Sequence, residues 1–221
     1  MAIVQPIETQ GGARRLGLSS PATGEPIGEI RVTPPDEVRA VVARARKAQV
    51  AWEAAGFDER ARIMRRALAL LLERQEHIID VIVSETGRSR VETIMMETFP
   101  ACDSLSYYAK HAKKILADKK VPLHLLRNKK MIVSYRPLGV AAIITPWNGP
   151  FILALNPSVQ ALMAGNAVVL KPSEVTPLSG GLVAELFRDA GVPDGVFNVV
   201  FGDGETGASL IDAGVNKVSF T

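Results

Sequence analysis

A single cysteine, Cys102, excludes an internal disulfide framework, so packing and hydrogen bonds must hold the fold, as expected in a reducing compartment such as the cytoplasm. No run approaches the roughly 20 apolar residues that cross a bilayer, so neither a spanning helix nor a membrane partner is expected. The opening segment, Met1 to Gln10, lacks the charged-then-apolar pattern of a secretory leader. Charge of one sign is scarce as well. Lys and Arg number 26 against 23 Asp and Glu, and the net +3 is too small to point to nucleic acid. The three histidines, His77, His111 and His124, share no metal-ligand spacing, so no metal is expected. What remains, 47% hydrophobic and 22% charged residues over 221 positions, is the balance of a soluble chain with one sizeable core.

Gly11 to Gly28 reads as turns between short edge strands. Thr33 can cap a helix with Pro34 in its first position and Asp36 in its first turn, and Gly56 is placed to end it. Val38, Val41, Val42, Ala45, Ala48 and Trp52 form its apolar face. A second helix, capped by Asp58 and stopped by Gly87, carries Ile63, Ala67, Leu70, Leu71, Ile78 and Ile82 inward and its early arginines outward. A third, from Ser89 to about Leu116, carries Val91, Ile94, Cys102, Leu105, Ala109 and Ala112 and should kink at Pro100. The lysines between Lys110 and Lys130 form a locally basic stretch, but no aromatics interleave for base stacking, so a solvated helix end and an exposed hairpin fit better. Val121 to Tyr135 reads as two strands around an Arg127-Asn128 turn.

From residue 138 onward, short apolar runs alternate with helical patterns, the signature of parallel strands joined by crossover helices in an α/β sheet. The expected strands are Leu138 to Ile144, Ala167 to Leu170, Phe197 to Phe201 and Lys217 to Thr221, with helices at Phe151 to Ala164, Pro177 to Ala190 (capped by Thr176) and Glu205 to Ala213. Ending on a strand, the sheet is expected to be incomplete at its carboxyl end.

Ligands of open parallel sheets bind at the carboxyl ends of the strands, which directs attention to three loops. Gly202-Asp203-Gly204-Glu205-Thr206-Gly207 is a literal G-x-G-x-x-G between strand and helix and is either a phosphate cradle or a plain Gly-rich turn. Lys171-Pro172-Ser173-Glu174 sets a cation, a hydroxyl and a carboxylate together, a ribose or phosphate site unless the lysine is merely solvated. In Thr145-Pro146-Trp147-Asn148-Gly149-Pro150, Asn148 is either the cap of the next helix or a side-chain donor to a ligand.

Taken together and in this order, the three loops resemble the cofactor domain of the aldehyde dehydrogenase superfamily. Thr145-Pro146-Trp147-Asn148 is similar to its first motif, and Ala164-Gly165-Asn166 leads to Leu170-Lys171-Pro172-Ser173-Glu174. Gly191-Val192-Pro193, Gly195, Asn198, Gly202 and Gly204 follow, and Glu85-Thr86-Gly87 and Tyr107-Tyr108-Ala109 extend the likeness upstream. The chain corresponds to about the first half of the family's length. The resemblance implies a Rossmann-like parallel sheet preceded by amino-terminal helices and by an oligomerisation hairpin at residues 121–137, with edge strands and helices in 1–120 and the sheet in 138–221.

It also implies a cofactor, NAD or NADP, lined by Ile144, Thr145, Pro146 and Trp147 on the nicotinamide side. Lys171, Ser173 and Glu174 would lie at the adenosine ribose, and Gly204, Phe220 and Thr221 would complete the surface. Glu174 leans the choice toward NAD. The literal glycine fingerprint is then misleading, because the family places Gly202 and Gly204 nearer the adenine. Asn148 becomes half of an oxyanion hole for an aldehyde attacked by a thiolate, followed by hydride transfer and hydrolysis of the acyl-enzyme. The family's cysteine and general-base glutamate lie beyond Phe220-Thr221, and Cys102, on the apolar stripe of an early helix, is expected to be a core thiol. The sequence therefore reads as a truncated, inactive portion of a homo-oligomeric dehydrogenase acting on a small aldehyde. The competing expectation is a non-catalytic nucleotide-binding or hetero-oligomerising half domain.

Overall fold

The computed structural model describes the backbone of residues 3–7 and the whole of residues 14–125 and 128–221. Strands β1 (Ile3–Ile7), β2 (Arg15–Ser19) and β3 (Pro26–Arg31) form an antiparallel meander. Helices α1 (Pro35–Ala54), α2 (Gly56–Glu73) and α3 (Gln75–Thr86) follow, then a short α4 (Arg90–Thr93), a π-helical turn (Ile94–Thr98) and α5 (Phe99–Ile115). An antiparallel pair, β4 (Lys119–Val121) and β5 (Met131–Val133), leads into the parallel sheet. There β6 (Val140–Ile144), α6 (Ile152–Met163), β7 (Ala167–Lys171), α7 (Pro177–Ala190), β8 (Phe197–Val199), α8 (Gly204–Asp212) and β9 (Lys217–Phe220) alternate.

The order β8-β7-β6-β9 means that the chain steps outward twice and then crosses back to the far side of β6. Every residue of β6 and β7 is buried, because helices cover both faces. The period of two divides them: Val140, Ala142, Ile144, Ala167 and Val169 meet α1 and α8 through Val38, Val41, Val42 and Leu210. Ile143, Val168 and Leu170 meet a larger core with Phe151, Leu155, Val159, Phe187 and Trp52. Phe151, Phe187 and Trp52 are each at most 1% exposed, and such burial stabilises by about 1.5–3 kcal/mol per large apolar side chain.

Several expectations need correction. Thr33 does not cap α1; its hydroxyl accepts the Phe201 N–H at 3.0 Å, tying the meander to the end of β8, and the helix begins at Pro35 after Pro34. The expected single helix from Asp58 to Gly87 is two, broken at Arg74, with Asp58 in the first turn instead of at the cap, while Gly56 (φ 76°) opens α2. Arg60 is 4% exposed instead of outward-facing: it donates to the carbonyls of Trp52 and Glu53 at 3.1 Å and of Met163 at 3.2 Å, and so closes the carboxyl ends of α1 and α6 together. The expected helix from Ser89 is interrupted just before Pro100 by the π-helical turn, which accommodates the missing N–H, and Val91 is exposed instead of core-facing. The hairpin begins at Lys119, two residues before the expected Val121, and its turn residue Arg127 lies outside the described residues.

Candidate functional site

Strand order alone selects a place. The neighbours of β6 are reached in opposite directions, so a crevice opens beyond its carboxyl end, flanked by β7 and β9. Ile144 sits level with Lys171 on one side and Phe220 on the other. The ladder continues past the strands: the Thr145 N–H donates to the Lys171 carbonyl at 3.1 Å and the Thr221 N–H to the Ile144 carbonyl at 3.3 Å. Five of the expected site residues, Ile144, Thr145, Lys171, Phe220 and Thr221, therefore share one edge.

After β6 the chain runs Pro146, Trp147 and Asn148 across the surface, with Trp147 and Asn148 exposed, and turns inward at the buried Gly149. Asn148 is not the cap of α6. That helix starts at Ile152 after Phe151, three residues on, and the acceptor for its first amides is the carboxylate of Glu97, which takes the N–H of Phe151 at 3.2 Å and of Ile152 at 2.9 Å. Thr145 is 4% exposed, and its hydroxyl finds no hydrogen-bond partner among the described residues.

After β7, Lys171 is 4% exposed, its ammonium donating to the Pro172 carbonyl at 3.0 Å and lying 3.5 Å from the Glu174 carboxylate. Burial pushes its pKa below the usual lysine range, while Glu174 and Asp203 pull it back up. The solvated-lysine reading is thereby excluded. The Ser173 hydroxyl accepts the Val175 N–H at 3.2 Å and shapes the turn. Thr176 begins α7 without a side-chain cap, its buried hydroxyl also unpartnered. The cap is Glu85, 0% exposed, which accepts the N–H groups of Leu178 at 2.6 Å and Ser179 at 2.8 Å and the Ser179 hydroxyl at 2.5 Å. Burial pushes this carboxyl up to about 7, against those three donors.

The glycine fingerprint is not a phosphate cradle. Asp203 fills the amino terminus of α8, accepting the Glu205 N–H at 3.0 Å, and is ion-paired to Arg14, so a carboxylate already occupies the place an anion would take. Gly204 faces open space, while a side chain at Gly207 would stand 3.6 Å from the Lys171 stem, which sets α8 against that lysine. Asn166 and Asn198, quoted for the resemblance, are scaffold. Asn166 accepts the N–H groups of Leu138 and Gly139 at 2.7 and 3.1 Å, and Asn198 donates to the Gly195 carbonyl at 2.7 Å.

Two grooves of about 590 and 630 Å³ flank β8, one reaching Arg44, Arg188 and Asn198 and the other His77, Leu178 and Phe201, and neither holds Asn148 or Lys171. Cys102 is half-buried, and burial pushes its thiol up, which favours the thiol over the nucleophilic thiolate. Among the described residues no group of three potential metal ligands is found, and no helix is long and apolar enough to cross a membrane.

This layout coincides with a known family: the sequence model of the aldehyde dehydrogenase family matches residues 8–221. The chain belongs to that family. It is 34% identical to an NADP-dependent enzyme of E. coli over 96% of this chain and 44% of that one, with a TM-score of 0.88. An aldehyde dehydrogenase of Mycobacterium tuberculosis complexed with NAD+ is 34% identical, covering 89% of this chain and 40% of its own, with a TM-score of 0.83. An NAD-dependent benzaldehyde dehydrogenase from Corynebacterium glutamicum is 32% identical, covering 91% and 45%, with a TM-score of 0.84. The chain thus spans less than half the length of these relatives. Its fold is the expected Rossmann-like α/β sheet with preceding helices and a β-hairpin.

What sequence reading missed are the charges behind the loops: the buried Glu85 and Glu97 and the partly buried Arg88. Glu97 left a signal, since it is the one charged residue between Ile94 and Cys102. Glu85 stood within a quoted motif but had no assigned task.

Proposed function

We propose that this chain forms the cofactor-binding part of an NAD(P)-dependent aldehyde dehydrogenase that oxidises an aldehyde to a carboxylic acid. The observation that carries this reading is the meeting of the Thr145–Asn148 loop and Lys171 on adjacent strand ends at the switch point of the sheet. Lys171 has donors to spare beyond its bond to Pro172 and Glu174 has exposed acceptors, so together they hold the hydroxyls of an adenosine ribose, with Ser173 beside them. Ile144, Thr145, Pro146 and Trp147 line the nicotinamide end, where the buried Thr145 hydroxyl supplies a polar atom that a ligand would satisfy. Gly204, open to solvent, and Phe220 and Thr221, on the far side of β6, border the same channel.

When bound, the nicotinamide accepts a hydride from the substrate carbon. Asn148 presents its side-chain NH₂ to the carbonyl oxygen of the aldehyde as negative charge develops there, a contribution of roughly 3–4 kcal/mol for a donor of this kind. Glu174 and Asp203 place negative charge around Lys171, which disfavours a 2′-phosphate and favours NAD over NADP. Residues 138–221 are the cofactor sheet, 1–120 its supporting strands and helices, and 121–137 an assembly hairpin of a homo-oligomer. The exposed Met131, Ile132 and Val133 on β5 support the last assignment. The test is calorimetric titration of NAD+ and NADP+ into the wild-type chain and Lys171→Ala; absence of saturable binding in the wild type would overturn the reading.

A further inference from the structure

Behind the exposed Asn148 stands an arrangement that touches no site residue's side chain. Glu97, wholly buried on the π-helical turn, accepts the first two amides of α6 through one carboxylate oxygen and the Arg88 guanidinium through the other, at 2.9 Å. The other terminal nitrogen of Arg88 donates to the backbone carbonyl of Asn148. A planar guanidinium holding two acceptors leaves little freedom to either. The pair therefore grips the loop from both ends: the Asn148 carbonyl through Arg88, and Phe151 and Ile152 through Glu97. Between those anchors lie Gly149 and Pro150, both buried.

We propose that Arg88 and Glu97 are positioning residues that fix the direction of the Asn148 carboxamide. The side chain is exposed, so its aim derives chiefly from the backbone that carries it. Burial pushes the Glu97 carboxyl upward, and the Ile152 amide and the Arg88 charge oppose the shift. Arg88 is 21% exposed and lies 3.8 Å from the exposed Glu92, so Glu97 is its principal anion.

The inference rests on the oxyanion reading of Asn148, and the experiment separates the two. In the complete native-length enzyme, turnover is measured for Arg88→Met, Asn148→Ala and the double variant. Arg88→Met is expected to lower kcat about 10- to 100-fold, the scale of a misplacement of about 1 Å. The double variant is expected to be no slower than Asn148→Ala alone, since a residue that acts through Asn148 has nothing left to act on. Additive losses would overturn the proposal. Trp147 emission, isolated by subtracting the spectrum of Trp147→Phe, reports the loop without any turnover. A shift in Arg88→Met supports the grip even if Asn148→Ala proves fully active, whereas an unchanged emission overturns it. Should Arg88→Met fail to fold, Glu97→Gln keeps an acceptor for the α6 amides, releases the guanidinium and is judged on the same two readouts.

Discussion

The loops after β6 and β7 solve one problem in two ways. Each leaves a buried strand, carries candidate ligand groups and enters a helix whose first amides are taken by a buried glutamate. Glu97, behind the first loop, has the Arg88 guanidinium at 2.9 Å; Glu85, behind the second, has only neutral donors and no ion pair among the described residues. An ionised carboxylate with a cation in contact is held against desolvation far better than one served by amides and a hydroxyl. The first loop is thus clamped by charge, whereas the second is held by a group poised to gain a proton near neutrality.

Five variants would break or sharpen that contrast. Removing the first loop's business end should have the largest effect: in the complete enzyme Asn148→Ala is expected to cut turnover about 100- to 1000-fold while NAD+ affinity changes little, and steady-state kinetics with equal kcat would end its oxyanion role. Next comes the protonation of Glu85. A carboxyl raised from about 4.3 in the unfolded chain to about 7 in the fold favours folding most below pH 4, where it is protonated in both states. That stability is lost as pH climbs to 7, by on the order of 3 kcal/mol. Thermal melts between pH 4.5 and 7.5 should therefore show a declining component that Glu85→Gln flattens. Parallel curves for the two proteins would mean that Glu85 stays ionised throughout. Glu97→Gln, whose parent carboxylate has Arg88 beside it, should alter the slope less.

The remaining effects are smaller. Lys171→Ala should weaken NAD+ binding about tenfold, the scale of a hydrogen bond from a charged donor, with isothermal titration as the check and an unchanged Kd as the refutation. Thr145→Val removes a buried hydroxyl that has no hydrogen-bond partner among the described residues. It should leave the apo melting point level or slightly higher and cost cofactor affinity a few-fold, about 1 kcal/mol. A large drop in apo stability would show that the hydroxyl serves the fold instead.

Much of this was legible beforehand. Apolar runs at Leu138 to Ile144 and Ala167 to Leu170 identified strands because a parallel strand covered on both faces leaves no polar position. Strand-end position drew attention to Lys171 and Asn148 with their alternatives open, and the family resemblance supplied the roles proposed for them. Errors gathered where a local rule met a distant competitor. Thr33 has the chemistry of a cap, but the Phe201 amide, 168 residues away, claims its hydroxyl. Asp203 closes a glycine turn that spacing alone matched to a phosphate site. Arg60 belongs to an outward-facing pattern, yet the carbonyls at the ends of α1 and α6 draw it in.

Sequence by itself determined the periods, the strand-end loops and the family, since each is written in contiguous residues: apolar spacing, Gly and Pro punctuation, and short motifs. Only tertiary structure decided which carboxylates hold the loops. Glu97 meets its amides 54 and 55 residues downstream and Glu85 meets its own at 93 and 94, separations at which no local pattern constrains a pairing. A buried carboxylate persists only where donors converge on it, and convergence is a property of the packed chain.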